Sequence, residues 1–532
     1  MDQWDYIIVG AGSAGCVLAN RLSANPANRV LLLEAGGWDF SPFIHVPAAI
    51  IKAIGNPSLD WCYQAEQDPS RNNKVDLWPA GRVVGGSSAI NGMLYVRGRP
   101  SDYDQWRDLG CEGWSGDDIM PLFKRIEASS VGDPTVRGRE GPLTTRRLRS
   151  THPLAHTFVE AAQQQGVPFN QDYNGREQHG IGFSEVTQKR GWRVSAARAY
   201  LWPARGRPNL KIATRARVEK LLMDGRTCNG VQVRGADGSL REEHAAAEVI
   251  LCAGAIATPK LLMLSGIGPA AALREQGIDV NAALPGVGQN LREHPTAMVG
   301  IEVNISTYNM EINSWRIGYH AINWLLFGRG PATSPYPHAV GFVKTQADLD
   351  EPDIQVQLGP YAFSFSEEGV VPYPRPAVSA AISPCRPAGI GEINLRSGDA
   401  ADPPIIRHQL LGDAQDRASL IRGCRMVRKI FASSAFDPYR VAERLPGETV
   451  ESDADWEAFL SQTAFLGYHP SGTCKMGVDD QAVTTPQLQV QGVEKLRIAD
   501  ASIMPTLTSG NTNAPVMMIG ERCADLILGR TH

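Results

Sequence analysis

Three glycines near the start of the chain, at positions 10, 12 and 15, have the spacing of a nucleotide-binding turn. They follow the apolar run 5–9, and the segment 16–22 after them has a helical pattern. Glycines in this arrangement let backbone N–H groups approach a pyrophosphate at the N-terminus of a helix. Glu34 lies nineteen residues beyond Gly15, where its carboxylate can accept hydrogen bonds from ribose hydroxyls. The pattern therefore predicts a dinucleotide site for FAD or NAD, and the alternative is a packing turn of small residues.

The elements around this turn follow the order strand, helix, strand, which predicts a parallel sheet. Further runs typical of buried strands occur at 210–214 and 249–251. Between 300 and 460, segments such as 353–358 alternate polar with apolar residues, as half-exposed antiparallel strands do. These patterns predict two interleaved domains. The nucleotide-binding domain takes residues 1–150, 200–300 and 465–532, and the substrate-binding domain takes residues 151–199 and 301–464.

The composition excludes several classes of protein. Lys and Arg number 52 against 56 Asp and Glu, so there is no basic excess to neutralise nucleic acid, and we expect no nucleic-acid partner. The nine cysteines contain no CxxC pair, which predicts reduced thiols in a cytoplasmic protein, without disulfides or a metal site. The chain has no run of 18 apolar residues and therefore no predicted transmembrane segment, while peripheral membrane contact stays open.

Two longer motifs identify a family. Residues 81–91 (GRVVGGSSAIN) and 254–268 (GAIATPKLLMLSGIG) resemble the two signatures of the glucose-methanol-choline (GMC) oxidoreductase family, in the same order. Segments 286–294 and 500–505 match the family as well, so the resemblance spans nearly the whole chain. It implies that the dinucleotide is FAD. It also implies an α/β and α+β fold, in which a Rossmann-type FAD-binding domain carries an inserted substrate domain built on an antiparallel sheet flanked by helices.

The turn, the two signatures and the resemblance together give the predicted cofactor-binding positions. These are Gly10, Gly12, Ser13, Gly15, Glu34, Ala35, Arg82, Gly85, Gly86, Ser87, Asn91, Gly92, Val218, Ala253, Gly254, Asp500, Ala501, Asn511 and Thr512. Consecutive glycines let the backbone approach a flavin ring without Cβ clashes. Some family members carry a histidine, one residue before the position of Asn91, that bonds covalently to the flavin. Here that residue is Ile90, which predicts non-covalent FAD.

The candidate acid–base residue is His469, within residues 468–477 (YHPSGTCKMG). A histidine before proline in a loop is by itself more often structural, but this segment is similar to the active-site segment of the family. An imidazole that titrates near neutral pH can accept the proton of an alcohol. The family pairs this residue with a second His or Asn, which falls here in residues 510–515 (GNTNAP). The spacing from His469 favours Asn513 over Asn511, and the other amide is then a turn cap or a flavin contact.

Two further histidines fall in matched segments. His294 ends the segment 286–294, and we expect it to orient the backbone near the cofactor rather than to take part in the chemistry. His338 lies in residues 336–342 (YPHAVGF), which resemble a segment of choline dehydrogenases. Choline dehydrogenases have in that segment an acid able to hold a quaternary ammonium group, and this chain has His338 in its place. The resemblance therefore makes choline a less favoured substrate.

The favoured function is FAD-dependent oxidation of an alcohol to the aldehyde, by proton abstraction and hydride transfer to flavin N5. The expected substrate is a small primary alcohol, aromatic or otherwise apolar. The expected electron acceptor is a quinone, a dye-like carrier, a redox protein or O₂. The alternatives are an O₂-using alcohol oxidase of the same family and an FAD-containing enzyme that resembles a hydroxynitrile lyase.

Overall fold

The computed structural model describes residues 3–311, 315–366 and 369–530. The strands of its two main sheets, in chain order, are β1 (Trp4–Val9), β2 (Val30–Glu34), β3 (Leu210–Thr214), β4 (Arg217–Asp224), β5 (Thr227–Arg234), β6 (Leu240–Leu251), β7 (Pro295–Val303), β8 (Ala339–Val343), β9 (Ile354–Gly359), β10 (Ala377–Pro384), β11 (Arg440–Leu445), β12 (Phe465–Leu466) and β13 (Leu496–Ile498). The α-helices are α1 (Ser13–Leu22), α2 (Pro42–His45), α3 (Pro100–Asp108), α4 (Gly116–Ile126), α5 (Pro153–Gln164), α6 (Trp202–Ala204), α7 (Gly254–Leu264), α8 (Ala270–Glu275), α9 (Tyr308–Glu311), α10 (Arg316–Phe327), α11 (Ala414–Phe431), α12 (Asp453–Thr463) and α13 (Asn513–Leu528).

Shorter elements connect these. The minor strands are Tyr63–Gln64, Leu77–Trp78, Glu127–Ser129, Leu143–Arg147, Gly180–Phe183, Glu185–Val186, Gln188–Lys189, Trp192–Arg193, Ile267–Gly268, Ala282–Ala283, Phe363–Ser366, Gly369–Pro372, Glu392–Asn394 and Ile405–Arg407. The 3₁₀ turns are Pro47–Lys52, Pro69–Arg71, Gly86–Ala89, Pro331–Thr333, Ser434–Phe436 and Ala501–Ile503, and Ala197–Leu201 forms a π turn. Within the described ranges, every helix is too short or too polar to cross a bilayer.

The first sheet has seven strands in the order β3-β2-β1-β6-β5-β4, with β13 paired to β6. β1 runs parallel to β2 and to the end of β6, and β3 runs parallel to β2. The apolar runs of β1 and β2 form this order because their residues are buried in a common core with α1 and α13. These two helices approach so closely that a Cβ on Gly520 would lie 3.0 Å from Ala14 Cα. The predicted parallel order is confirmed for β1, β2, β3, the end of β6 and β13, whereas β4 and β5 join the sheet in antiparallel order. Both ends of the chain contribute to this sheet.

The second sheet has six strands in the order β8-β9-β10-β7-β11, with β12 paired to β7, and its pairings are antiparallel. α11 covers one face with an apolar stripe that contains Leu420, Cys424 and Val427. The predicted antiparallel sheet with flanking helices is confirmed. The alternating strand β9 is more buried than its pattern predicts, because Gln357 lines a cavity and Gln355 bonds to Asn511 rather than to solvent.

Two segments lie on the other side of the predicted domain boundaries. β7 falls mostly within the predicted nucleotide-binding range 200–300, yet it is a central strand of the second sheet. Ile393 and Ile406 fall within the predicted range 301–464, yet they pack in the core of the first sheet. A hydrophobic pattern shows that a strand is buried, but it does not show against which core.

Candidate active site

A cavity of about 1750 Å³ lies where the two sheets meet. A typical site for one small ligand has roughly 300–1,000 Å³, so this cavity has room for a dinucleotide and a substrate together. Most of the predicted cofactor positions line it. They are Gly10, Gly12, Ser13, Glu34, Ala35, Gly86, Ser87, Asn91, Gly92, Val218, Ala253, Gly254, Asp500, Ala501, Asn511 and Thr512.

Three predicted cofactor positions lie behind this lining. Gly85 donates its backbone N–H to the Ala11 carbonyl (2.8 Å), which ties the second glycine loop to the first. The Arg82 guanidinium lies 5.0 Å from the centre of the Trp61 ring. Gly15 packs within α1 against the turn itself. These residues support the cavity wall rather than face the cavity.

The first glycine loop packs on itself and against the second loop at positions where no side chain fits. A Cβ on Gly15 would lie 1.9 Å from the Gly10 carbonyl oxygen, and one on Gly86 would lie 2.7 Å from Gly12 Cα. Gly12 is also the N-cap of α1 and offers no side chain to the free N–H groups of the first helical turn. The result is a cradle of backbone N–H groups at a helix N-terminus, which suits a pyrophosphate.

Glu34 holds this turn in place. Its carboxylate accepts hydrogen bonds from the backbone N–H groups of Ala11 (2.9 Å) and Gly36 (2.8 Å). Burial raises the pKa of Glu34 to about 7, although both hydrogen bonds favour the charged form. The carboxylate therefore organises the turn, and its hydrogen bonds to ribose hydroxyls stay a prediction.

Asp500 performs a similar task beside the turn, at the start of α7. It accepts hydrogen bonds from the Gly254 N–H (2.8 Å), the Thr258 hydroxyl (2.6 Å) and the Ser502 N–H (2.8 Å). These bonds join the start of α7 to the segment 500–503. The matched segments 254–268 and 500–505 thus meet around one buried carboxylate.

His469 lies in a loop that is fixed by a second loop, residues 292–294. The backbone N–H of His469 donates to both oxygens of Glu293 (2.8 and 2.9 Å), which also accepts the His294 N–H (2.7 Å). Arg292 and Ser471 exchange two backbone hydrogen bonds (2.9 and 3.1 Å). These contacts leave the His469 backbone little freedom, so its ring is held in one place.

The His469 ring takes part in a chain of hydrogen bonds with a defined direction. His294 Nε2 lies 3.2 Å from the Cys385 carbonyl oxygen, which can only accept, so His294 carries its proton on Nε2. His294 Nδ1 must then accept from His469 Nδ1, at 2.9 Å. In the neutral imidazole this leaves the lone pair of His469 on Nε2, which accepts from Asn511 Nδ2 at 3.0 Å.

Both imidazoles are kept neutral. Burial lowers the pKa of His469 well below its ordinary value, and the neighbouring His294 lowers it further. Burial likewise lowers the pKa of His294 to about 4. Burial raises the pKa of Glu293 to about 8, although its backbone hydrogen bonds oppose this. His469 therefore offers an unprotonated nitrogen, as a general base requires.

The structure brings Asn511, rather than the predicted Asn513, next to His469. Asn513 is the first residue of α13, and its Oδ1 accepts a hydrogen bond from the Ser13 hydroxyl (2.8 Å). Its side chain therefore contacts the nucleotide-binding turn. The two amides are only two residues apart, and chain spacing from His469 does not show how the segment turns at the start of the helix.

Three contacts of this site are absent from the sequence-based prediction. The His294 ring contacts His469 directly, whereas the prediction gives His294 only a backbone role. Glu293 holds the His469 loop, and Gln355 Nε2 donates to Asn511 Oδ1 (3.1 Å). The matched segment 286–294 is the signal that could have drawn attention to Glu293 and His294. For Gln355, the only signal is a polar residue in an alternating strand.

Glu293, His294 and His469 also have the residue types of a metal site, with potential ligand atoms within 4.8 Å of one another. Their facing atoms are already engaged, because the two rings bond to each other and the carboxylate accepts backbone N–H groups. The hydrogen bonds account for this cluster, and we propose no metal there.

Comparisons with known proteins agree with the geometry. The N-terminal model of the GMC oxidoreductase family matches residues 4–296, and its C-terminal model matches residues 387–520. The chain is 42% identical over 535 residues to an oxygen-dependent choline dehydrogenase of Sinorhizobium medicae (strain WSM419), which covers 99% of this chain and 96% of that protein. It is 41% identical over 531 residues to the protein of the same description from Brucella suis biovar 1 (strain 1330), with coverage of 99% and 96%.

Solved structures show the same likeness. The crystal structure of pyridoxine 4-oxidase from Mesorbium loti has a TM-score of 0.90, with 32% sequence identity and full coverage of both chains. The glycine cradle, the paired His469 and Asn511, and these matches lead to one family. The chain belongs to the GMC oxidoreductases, and it is an FAD-dependent alcohol oxidoreductase.

Proposed function

We propose that His469 Nε2 is the general base that removes the hydroxyl proton of the alcohol. The observation that carries this proposal is the His469–Asn511 contact within the cavity, where the hydrogen-bond direction leaves a lone pair on Nε2. Bound FAD supplies the hydride acceptor for the carbon that bears the hydroxyl. On binding, the alcohol O–H would take the place of the Asn511 N–H at His469 Nε2 and pass its proton to this nitrogen, while the displaced amide donates to the alcohol oxygen.

Asn511 orients the alcohol oxygen without competing for its proton. Gln355 Nε2 donates to Asn511 Oδ1, which turns the Asn511 NH₂ group toward His469. An amide N–H donates to the oxygen but has no basic site that could take the proton. Asn511 therefore takes the pairing role that sequence spacing gives to Asn513, and Asn513 supports the nucleotide-binding turn.

Alanine variants at the two asparagines separate these roles. We expect Asn511→Ala to lower the rate of flavin reduction by about tenfold or more, because one hydrogen bond to the reacting oxygen is lost. Asn513→Ala loses the bond to Ser13, so we expect it to weaken FAD affinity rather than to slow reduction of bound FAD. Stopped-flow reduction and FAD titration measure the two effects. A slower reduction in Asn513→Ala than in Asn511→Ala would contradict this assignment.

The pH dependence of flavin reduction follows from the lowered pKa of His469. A base whose pKa is lowered stays unprotonated, and therefore active, at pH values where an ordinary histidine is protonated. An ordinary histidine, with a pKa of about 6.5, would lose more than tenfold of its rate at about pH 5. We expect the anaerobic reduction rate to change little between about pH 7 and pH 5, with flavin absorbance as the control for cofactor loss. A fall in rate centred near pH 6.5 would contradict this.

We also propose that the FAD is bound without a covalent bond. Ile90 lines the cavity next to Asn91 and has no nucleophilic atom. Acid precipitation should therefore leave a colourless pellet and a yellow supernatant. Yellow colour that stays in the pellet after denaturing washes would show a covalent link.

The proposed substrate is a primary alcohol with an apolar or aromatic body. The cavity wall is rich in aromatic side chains, which include Tyr308, Tyr336, Tyr361 and Phe363. Anaerobic bleaching of the flavin, measured with a panel of aromatic, aliphatic, polyol and polyether alcohols and with choline, tests this function. If no alcohol bleaches the flavin, the proposed oxidation is wrong. This is also the result expected if the protein is a lyase, because a lyase does not reduce its flavin.

The proposed electron acceptor is a quinone, a redox protein or O₂. The names of the relatives contain both "oxygen-dependent" and "dehydrogenase". The similar solved structure is named as an oxidase. A comparison of hydrogen peroxide release with reduction of a quinone or dye distinguishes these acceptors.

Cytoplasmic location with peripheral membrane contact stays a prediction. The peripheral contact is supported by exposed apolar residues of α10, which are Ile322, Leu325, Leu326 and Phe327.

A further inference from the structure

The outer side of α10 is apolar, whereas a surface helix ordinarily turns polar residues to solvent. Within α10, Trp324 is the one buried residue. Four apolar side chains follow one another at intervals of four, three and four residues, so they share the side of the helix opposite Trp324. They are Trp315, directly before the helix, and Tyr319, Ile322 and Leu326, and each is at least 60% exposed. We call them the α10 stripe. A contiguous exposed stripe of this kind marks a binding surface.

Two surface segments pack beside α10 and carry basic residues. The rings of Trp324 and Trp192 lie 4.1 Å apart, and Trp324 Nε1 donates to the Gly191 carbonyl (2.8 Å), which holds the loop 186–193 against the helix. The 3₁₀ turn Pro47–Lys52 contacts the turn Pro331–Thr333, which follows α10. The helix and these segments expose five basic side chains, which are Lys52, Lys189, Arg190, Arg316 and Arg329.

These segments carry no acid to balance the positive charge. Residues 40–59, 186–193 and 315–331 contain neither Asp nor Glu. Glu311, at the end of α9, is engaged by Arg316 (3.2 Å) and His320 (2.9 Å), and its side chain is only 15% exposed. An apolar stripe flanked by exposed basic residues is complementary to negatively charged lipid headgroups above an apolar layer. The charge therefore fits an anionic bilayer.

A second copy of the chain fits this surface less well. In a symmetric dimer, each subunit presents the same patch to its partner. The basic residues of the two copies would then face each other, and like charges placed together oppose association. The charge of the patch therefore favours a bilayer over self-association.

The α10 stripe lies beside the mouth of the cavity. Ile317 and Leu325 on one flank of α10, and Ile322 within the stripe, line the cavity although at least half of each side chain is exposed. Lys52 is also both exposed and part of the lining. Side chains that combine exposure with cavity lining lie at the rim. A bilayer in contact with the stripe would therefore lie at the cavity mouth.

We propose that the α10 stripe docks the protein on an anionic bilayer, with the cavity mouth turned toward the lipid. The basic residues contact the headgroups, and the stripe enters the boundary between headgroups and acyl chains. This gives the peripheral contact a lipid charge, a set of contacting residues and an orientation. The inference rests on the proposed function in one respect, which is that an apolar primary alcohol dissolved in the bilayer enters the cavity from the membrane side.

Vesicle flotation of the FAD-loaded protein tests the docking without any alcohol. We expect binding to phosphatidylcholine vesicles that contain phosphatidylserine, weaker binding to phosphatidylcholine alone, and release by salt. Leu326→Glu should lower the affinity about tenfold or more, because it places a negative charge in the stripe. The matched control is Leu240→Glu, which changes an exposed leucine of β6 outside the cavity lining and should bind as the wild type does.

The basic residues are tested by the double variant Lys189→Gln and Arg329→Gln. Each basic residue near an anionic surface contributes roughly fivefold in affinity, so we expect a loss of about tenfold or more on phosphatidylserine vesicles. Hydrogen exchange should slow in residues 186–193 and 315–331 when these vesicles are added. Equal binding of Leu326→Glu and Leu240→Glu, binding that ignores lipid charge, or protection confined to other segments would overturn the docking. A dimer that Leu326→Glu converts to monomer would show that the stripe binds a second copy instead.

The membrane route is tested with decanol dissolved in phosphatidylserine vesicles. Docking raises the local concentration of this alcohol, so anaerobic flavin reduction should be about tenfold faster in the wild type than in Leu326→Glu. A water-soluble alcohol should reduce both flavins at the same rate, since Leu326 lies outside the cavity lining. Equal rates with decanol, or no reduction of either flavin, would overturn the route. Vesicle binding without bleaching by any alcohol would overturn the proposed function and not the docking, whereas bleaching without vesicle binding would overturn the docking alone.

Discussion

The variant His469→Ala should reduce its flavin at least about 10²-fold more slowly than the wild type when an alcohol is added, while it keeps its FAD. The reason is that Nε2 is the one nitrogen of the His469–His294 pair whose lone pair faces Asn511. His294 cannot replace it, since the His294 Nδ1 lone pair points toward residue 469 and its Nε2 proton is held by the Cys385 carbonyl. Stopped-flow reduction under anaerobic conditions gives the rate.

A matched control for this variant is His244→Ala, which removes a half-buried histidine of β6 that is not among the residues lining the cavity. This control should retain the wild-type rate. The visible flavin spectrum of both variants reports cofactor content, so a slow rate cannot be confused with FAD loss. A near wild-type reduction rate in His469→Ala would remove His469 from the role of base.

The second large effect is expected at the glycine cradle. Gly15→Ala places a methyl group 1.9 Å from the Gly10 carbonyl oxygen, a backbone atom that cannot move without opening the turn. Overpacking of this kind costs on the order of 1–3 kcal/mol or more, and here it also displaces the N–H groups that would hold the pyrophosphate. We expect purified Gly15→Ala to carry little or no FAD, measured as flavin absorbance per protein.

The control for the cradle is Gly206→Ala, since a Cβ at this exposed position meets nothing within 4 Å. It should bind FAD as the wild type does. Circular dichroism separates loss of cofactor from loss of fold in Gly15→Ala. If Gly15→Ala were fully loaded with FAD, the close contact between α1 and the turn would not be what shapes the cofactor site.

The fold was predictable where local pattern and global topology agree. The run 5–9, the glycine turn and Glu34 specify strand, turn and strand within the first 34 residues, and the structure has them in parallel order. The assignment of segments to cores was less predictable. Strand β7 and the hairpin that contains Ile393 and Ile406 carry patterns that fit burial in either half.

The sequence predicted which segments form the candidate site. It did not predict which side chains of these segments contact one another. His469 and the amides near the C-terminus follow from the motifs, but Asn511 and Asn513 differ only in how the chain enters α13. Glu293 acts through its contact with the His469 backbone, and Gln355 acts through Asn511. Such indirect contacts depend on distances between distant segments, which residue types and spacing do not encode.

The Cys385 carbonyl, at the end of the hydrogen bonds from His469 through His294, has a consequence for proton traffic. A backbone carbonyl is not basic enough to take a proton, so the inner end of this path is closed. In the proposed mechanism, the proton that His469 removes therefore finds no acceptor along this path. It leaves His469 through Nε2, into the cavity from which it came.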